Sequence, residues 1–179
     1  MSAFIVALLG AESTGKTTLA GEIGAALAAR GVAVEVVAEV LREFCDTHAR
    51  TPRRDEQAAI AAAQTARIGA AATHADVVVA DTTALMIAVY SDLVFADTSL
   101  YDEAVAAQRR VDLTLLTALD LPWQADGLMR DGAHVREPVD VKLRTALARG
   151  GIAATTVAGS GPGRLAAALA AIDAALAAR

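Results

Sequence analysis

Lysine is nearly missing from this chain. It occurs only at Lys16 and Lys142, and arginine supplies the rest of the 16 basic residues. The bias fits a GC-rich coding sequence and leaves Lys16 conspicuous. Cysteine occurs once, at Cys45, which excludes an intrachain disulfide and makes a reducing cytosol the expected setting. Aromatic residues are only 3% of the chain, so few large side chains are available for the core. No basic excess is present either. The net charge of −5 gives no reason to expect a nucleic-acid partner, because a phosphate backbone selects a basic face. Apolar runs stay far short of the roughly 20 residues that a membrane span requires. The Ala-rich tail is broken by Arg164, Asp173 and Arg179, and the first apolar run, Ala3 to Leu9, has no basic segment before it as a secretory signal would. A soluble, cytoplasmic protein with neither nucleic-acid nor membrane partners is expected.

What is present is a chain of 179 residues, 55% of them hydrophobic and many of those alanine. That length suits one compact domain spanning 1–179 with a substantial core, and alanine favours helices. Ala3 to Leu9 is a continuous apolar run, the mark of a strand buried on both faces. A helix is predicted from Lys16 to Arg30, where Leu19, Ile23 and Leu27 recur every four residues and Gly31 is a C-terminal stop. Strands are predicted at 32–37, 76–80, 112–117 and 152–157. Helices are predicted from Glu39, from a cap at Asp55 to about Thr73, from Thr82 to Tyr90, from Asp102 to Arg109, and after Ser160-Gly-Pro-Gly163. The alternation implies an α/β fold with a parallel five-stranded sheet and helices on both faces. The segment from Trp123 to Arg149 is the most charged part of the chain.

Gly10-Ala-Glu-Ser-Thr-Gly15-Lys16-Thr17 matches Gly-x4-Gly-Lys-Thr, with a buried strand before it and a periodic helix after it. This is the pattern of a P-loop NTPase. The glycines let backbone amides turn inward around phosphates, and the helix N-terminus adds partial positive charge. ATP is therefore expected against Gly10, Glu12, Ser13, Thr14, Gly15, Lys16, Thr17 and Thr18. Lys16 is assigned to the β- and γ-phosphates and the Thr17 hydroxyl to Mg2+. A second acid for the metal is expected at the end of a neighbouring apolar strand, where Val77-Val-Val-Ala80 runs into Asp81. Asp81 has two readings, a magnesium ligand or a helix cap.

The loop, read with three further segments, resembles the ribosylnicotinamide kinase domain of NadR-type proteins and its single-domain, AAA-like relatives. Gly10 to Leu19 is similar to that family's phosphate loop. Glu39-Val-Leu-Arg-Glu-Phe44 resembles its segment after the second strand, and Asp81-Thr-Thr with Tyr90-Ser91 its Asp-Thr segment and following helix. Leu115 to Gly127 resembles its fourth strand and the Trp-x-x-Asp-Gly entry to a lid. The likeness implies a helical lid at about 123–149 and a small-molecule kinase. The acceptor would be nucleoside-like, with nicotinamide riboside the first candidate. NadR-type regulators also carry an adenylyltransferase domain and often a DNA-binding domain, for which 179 residues leave no room. Val40 and Leu41, and Met129 with Arg130, depart from the family pattern.

The resemblance also nominates residues. Glu39 occupies the position of an acid that orients the acceptor hydroxyl, with Arg42 one turn later, although the pair also suits a surface helix. Trp123 would stack on a base or pack the lid hinge; Asp126 would bind ribose hydroxyls or cap a helix. Phe44, Gln64 and Tyr90 complete the expected acceptor site, Gln57 sharing a helix face with Gln64. Arg130 and Arg136, with Arg144, are candidates to close over the γ-phosphate from the lid. Ser160 and Gly161 follow the last strand, where this architecture packs adenine. The rival from another class is a nucleotide-dependent ATPase switch acting on a partner protein.

Overall fold

In a computed structural model, which describes residues 2–124 and 132–179, five parallel strands form one sheet in the order β2-β3-β1-β4-β5. The strands are β1 (Phe4–Leu9), β2 (Val34–Val37), β3 (Val77–Asp81), β4 (Leu113–Thr117) and β5 (Thr155–Val157). The helices are α1 (Lys16–Ala29), α2 (Val40–His48), α3 (Gln57–Ala71), α4 (Ala84–Phe95), α5 (Tyr101–Gln108), α6 (Arg136–Arg149) and α7 (Gly161–Ala177).

Side chains alternate across a strand, so β1 feeds two cores. Phe4, Val6 and Leu8 pack with Leu19 and Ile23 of α1 and Ile172 of α7 on one face. Leu9 packs on the other with Leu85 and Val89 of α4 and Val139, Leu143 and Leu147 of α6. A third cluster sets Ile68 and Ala71 of α3 against Val37, Val78 and Ala80. With β1 covered on both faces, its six-residue apolar run is the sequence signal of a central parallel strand.

The register places the chemistry. Leu8 pairs with Asp81 across one edge of β1, and Leu9 with Leu116 across the other. The C-terminal ends of β3 and β4 therefore flank the loop that leaves β1, and they bring Asp81 and Thr117 to it. In open α/β sheets ligands bind at this carboxyl edge.

One local expectation is corrected. Asp55 caps no helix: it lies within a 3₁₀ turn, Arg54–Glu56, and Glu56 instead accepts a hydrogen bond from the Arg53 N–H at 2.7 Å. The competing signal was Glu56 itself, whose longer carboxylate reaches back three residues and is also held by both Nη atoms of Arg50 at 2.7 Å. The Arg50 contact, with the Arg53 N–H, lowers the Glu56 carboxyl to about 2. Within the charged segment 123–149, residues 136–149 are α6, whose Val139, Leu143 and Leu147 are buried in the same cluster as Leu85 and Val89 of α4.

Candidate active site

The loop between β1 and α1 borders a cleft of about 850 Å³, within the range of small-molecule sites. Glu12, Ser13, Thr14, Gly15, Lys16, Thr17 and Thr18 all line it. Gly10 and Gly15 are at φ +150° and +74°, where side chains are disfavoured. At Gly10 space is also decisive: a Cβ there would lie 2.1 Å from Thr117 Oγ1. That hydroxyl donates to Thr14 Oγ1 at 2.7 Å, with the Leu9 carbonyl 3.1 Å away, and Thr14 in turn donates to the Ala11 carbonyl at 2.8 Å. The end of β4 thus braces the loop from below. Lys16 Nζ donates to the Ala11 carbonyl at 2.9 Å, which holds the ammonium folded over the loop.

A second brace comes from a residue to which no role was assigned from sequence. Arg164, in the first turn of α7, is 4% exposed. Its Nη2 donates to the Thr14 carbonyl at 2.9 Å, and its Nη1 to Asp120 Oδ1 at 3.1 Å and to the Gly159 carbonyl at 2.8 Å. Asp120 also accepts from the Gly159 N–H at 2.5 Å, and this bond, ahead of the Arg164 charge, holds its carboxyl below the usual range. One buried guanidinium therefore ties the phosphate loop to the ends of β4 and β5. The only sequence signal was an arginine in the first turn of an alanine-rich helix. Ser160 and Gly161, beside that network, line the cleft as expected.

Asp81 is 3% exposed, and its Oδ1 has no hydrogen-bond partner. The capping role belongs to Thr83, whose hydroxyl accepts from the Leu85 N–H at 3.3 Å at the start of α4. An orphaned carboxylate oxygen beside the phosphate loop costs free energy unless a cation meets it, and with the Thr17 hydroxyl it suits a hard divalent ion.

On the far wall of the cleft, Glu39 is the N-cap residue of α2 and lines the cleft together with Arg42, whose Nε is 3.8 Å from Glu39 Oε2. The Glu39 side chain is 11% exposed against 35% for Arg42, so the acid is the more enclosed partner. Gln64 does not reach the cleft. It is fully buried, its Oε1 accepts from the Val40 N–H at 2.8 Å and its Nε2 donates to the Ala38 carbonyl at 3.3 Å. Its amide fixes the start of α2, and so the placement of Glu39, rather than touching a ligand. Phe44 also faces away: it stacks on His48 at 4.1 Å between ring centroids, under the Arg50 guanidinium.

Tyr90 lines the cleft and also a smaller apolar cavity of about 100 Å³ between α2, α3 and α4. Burial pushes the Cys45 thiol of that cavity above its ordinary pKa, with the Glu39 charge adding to the shift. Trp123 is half-buried and lies outside the cleft lining, whereas Pro122 and Gln124 on either side belong to it. The Ser13 hydroxyl donates to the Gln124 carbonyl at 2.8 Å, which hooks this segment to the phosphate loop. Arg136 is 8% exposed, does not line the cleft, and its Nε and Nη2 have no hydrogen-bond partners. Arg144 pairs with Asp140 at 2.7 Å, one turn away on α6. Asp126 and Arg130 lie outside the described residues.

A family model described as AAA domain matches residues 5–164. No curated protein matches the sequence. Among solved structures, a NadR protein in complex with NR superposes with a TM-score of 0.80 at 20% identity, over 99% of this chain and 50% of that one. A NadR protein in complex with NAD and AMP-PNP gives 0.76 at 19% identity, again over 99% and 50%. A deoxyadenosine kinase from M. mycoides, with dCMP and dCDP bound, gives 0.66 at 12% identity over 96% of this chain and 100% of the kinase. This chain spans about half the length of the NadR chains it matches. At these identities the likeness is one of fold.

Proposed function

Because the chain belongs to the AAA domain family, and with the fold of a P-loop kinase, we propose that it is an ATP-dependent small-molecule kinase. It transfers the γ-phosphoryl group to a hydroxyl of a nucleoside-like acceptor, nicotinamide riboside being the first candidate. The observation that carries this reading is the position of Glu39: an enclosed carboxylate at the N-cap of α2, on the wall of the phosphate cleft, with Leu41 and Cys45 of the same helix lining an apolar cavity.

The chemistry then divides between the walls. Backbone amides from Gly10 to Thr17, the α1 N-terminus and Lys16 hold the phosphates. Ser160 and Gly161 border the adenine end. Glu39 accepts a hydrogen bond from the acceptor hydroxyl and aims its oxygen at the γ-phosphorus. As that oxygen–phosphorus bond forms, the bond from the γ-phosphorus to the bridging oxygen breaks and ADP leaves with the electron pair. The hydroxyl proton passes to the Glu39 carboxylate. Asp81 and the Thr17 hydroxyl would hold magnesium, which when bound neutralises charge on the phosphates. Arg42 and Tyr90 border the acceptor. Trp123 and Arg136 do not line the cleft, and Asp126 and Arg130 lie outside the described residues; their roles as stacking, ribose-binding and γ-phosphate groups belong to the same proposal.

A nucleotide-dependent switch would use the same phosphate loop with no second substrate. Chromatography of a reaction of ATP, magnesium and nicotinamide riboside separates the two readings. The kinase yields nicotinamide mononucleotide and ADP in equal amounts. ADP without any phosphorylated product, from nicotinamide riboside and a nucleoside panel alike, supports the switch.

A further inference from the structure

The cavity between α2, α3 and α4 is walled by Leu41, Cys45, Pro52, Tyr90 and Phe95, and by one buried polar side chain, Gln57. Gln57 opens α3 and is 4% exposed, yet its Oε1 has no hydrogen-bond partner among the described residues. Leaving such an amide oxygen buried and unmet costs free energy, because it has given up its water without gaining a donor. Gln64, two turns further along the same helix, makes the contrast within this fold: both ends of its amide are bonded to backbone. The two glutamines look alike in sequence, and only Gln57 is left open towards a cavity. Among the described residues no charged side chain lines that cavity, which at about 100 Å³ is far smaller than the phosphate cleft.

We propose that Gln57 is a specificity-determining residue, whose amide reads an uncharged amide edge on a single-ring acceptor base. This rests on the kinase reading above. Oε1 requires an N–H donor, and a carboxamide or ring lactam presents one next to a carbonyl that the Gln57 Nε2 can meet. The apolar walls, with the Tyr90 and Phe95 rings among them, suit the two faces of an aromatic ring. A carboxylate in place of the amide would set its charge against Oε1, with no cation on the wall to compensate. A purine would have to fit two fused rings into the same space. Tyr90 lines both this cavity and the phosphate cleft, so a base held by Gln57 would direct its sugar towards the cleft that Glu39 lines.

The test is steady-state kinetics of the full chain with ATP, magnesium and four acceptors: nicotinamide riboside, nicotinic acid riboside, uridine and adenosine. One of the two amide-edged single rings, the pyridine carboxamide or the pyrimidine lactam, is expected to exceed both the carboxylate and the purine by at least about tenfold in kcat/KM. Which of the two leads identifies the source of the edge. Gln57→Leu is expected to raise the preferred acceptor's KM roughly tenfold and to level the amide-over-carboxylate preference, with the KM for ATP unchanged. Without ligand, Gln57→Leu is expected to melt at or above the wild-type temperature, since it removes an unmet buried amide. Retained preference in Gln57→Leu, a preferred purine, or a lowered melting temperature would overturn the proposal while leaving the kinase reading in place. Phosphorylation of none of the four by the wild type would count against the kinase reading itself.

Discussion

The two ends of the candidate site are built in opposite ways. The phosphate end is one continuous segment, Gly10 to Thr18, whose ligands are mostly backbone amides and whose shape is set by two glycines and the Thr117 and Arg164 braces. The proposed acceptor end is a cavity lined by side chains on α2, α3 and α4, which come together only when the helices pack. A backbone cradle fits any nucleoside triphosphate, so it fixes the phosphoryl donor. A side-chain cavity fits few molecules, so it fixes the substrate. The difference predicts that damage at the first end abolishes chemistry altogether, and damage at the second redistributes it among acceptors.

The largest expected effect is at the phosphate end. Lys16→Ala should lower turnover by about a thousandfold or more with every acceptor, because it removes the charge that follows the transferring phosphoryl group. Circular dichroism should be unchanged, since the Lys16 ammonium bonds a loop carbonyl rather than the core. Activity within tenfold of wild type would break the comparison at its stronger side. Glu39→Gln comes next, at the junction of the two ends. It should lower kcat by about 10²–10⁴-fold with ATP affinity nearly unaltered, as expected for a base that touches only the acceptor. A parallel loss of ATP binding in calorimetry would return Glu39 to its pairing with Arg42.

Arg164→Met should act on the phosphate end alone. Charge-assisted bonds to the Thr14 carbonyl, Gly159 and Asp120 disappear, and the ATP Kd should rise by about tenfold, equivalent to about 1.4 kcal/mol. The acceptor KM should stay constant, and a shift in that value instead would show that the two ends are not separately braced. The smallest effect lies beside the acceptor cavity. Glu56 titrates at about 2 in the folded chain against an ordinary 4.5, so its contribution to stability is complete above about 4.5 and is lost as pH falls towards 2. Glu56→Gln should therefore flatten part of the decline in the urea midpoint over that window and leave the midpoint at pH 7 only slightly lower. An unchanged acid profile would mean that the Arg50 contact contributes nothing in solution.

The same contrast explains what could be read from sequence. The sheet was legible because central parallel strands are apolar on both faces, and every expected strand lies within three residues of its observed bounds. The phosphate loop was legible because its function depends on backbone conformation, which glycine announces at fixed spacing. Thr117 and Arg164 were not, since each acts through a contact across more than 100 residues that no local pattern records. At the acceptor end, the periodicity that put Gln57 and Gln64 on one helix face was correct. It could not tell which amide would meet the α2 backbone and which a cavity. Phe44 was drawn to the site by its segment, but α2 turns it towards His48 and Arg50 instead. Glu39 lies in the same segment and does face the cleft, because Gln64 fixes the start of the helix that carries it.

The central claim is that the phosphate cleft and the apolar cavity, which share Tyr90 as a lining residue, are two ends of one site. Calorimetric titration with adenosine joined to nicotinamide riboside through a polyphosphate chain tests it most directly. The linked compound should bind at least about tenfold more tightly than ATP, because the second contact becomes intramolecular. ATP and the free acceptor should each displace it. Binding no tighter than ATP, with displacement by ATP alone, would contradict a two-ended site.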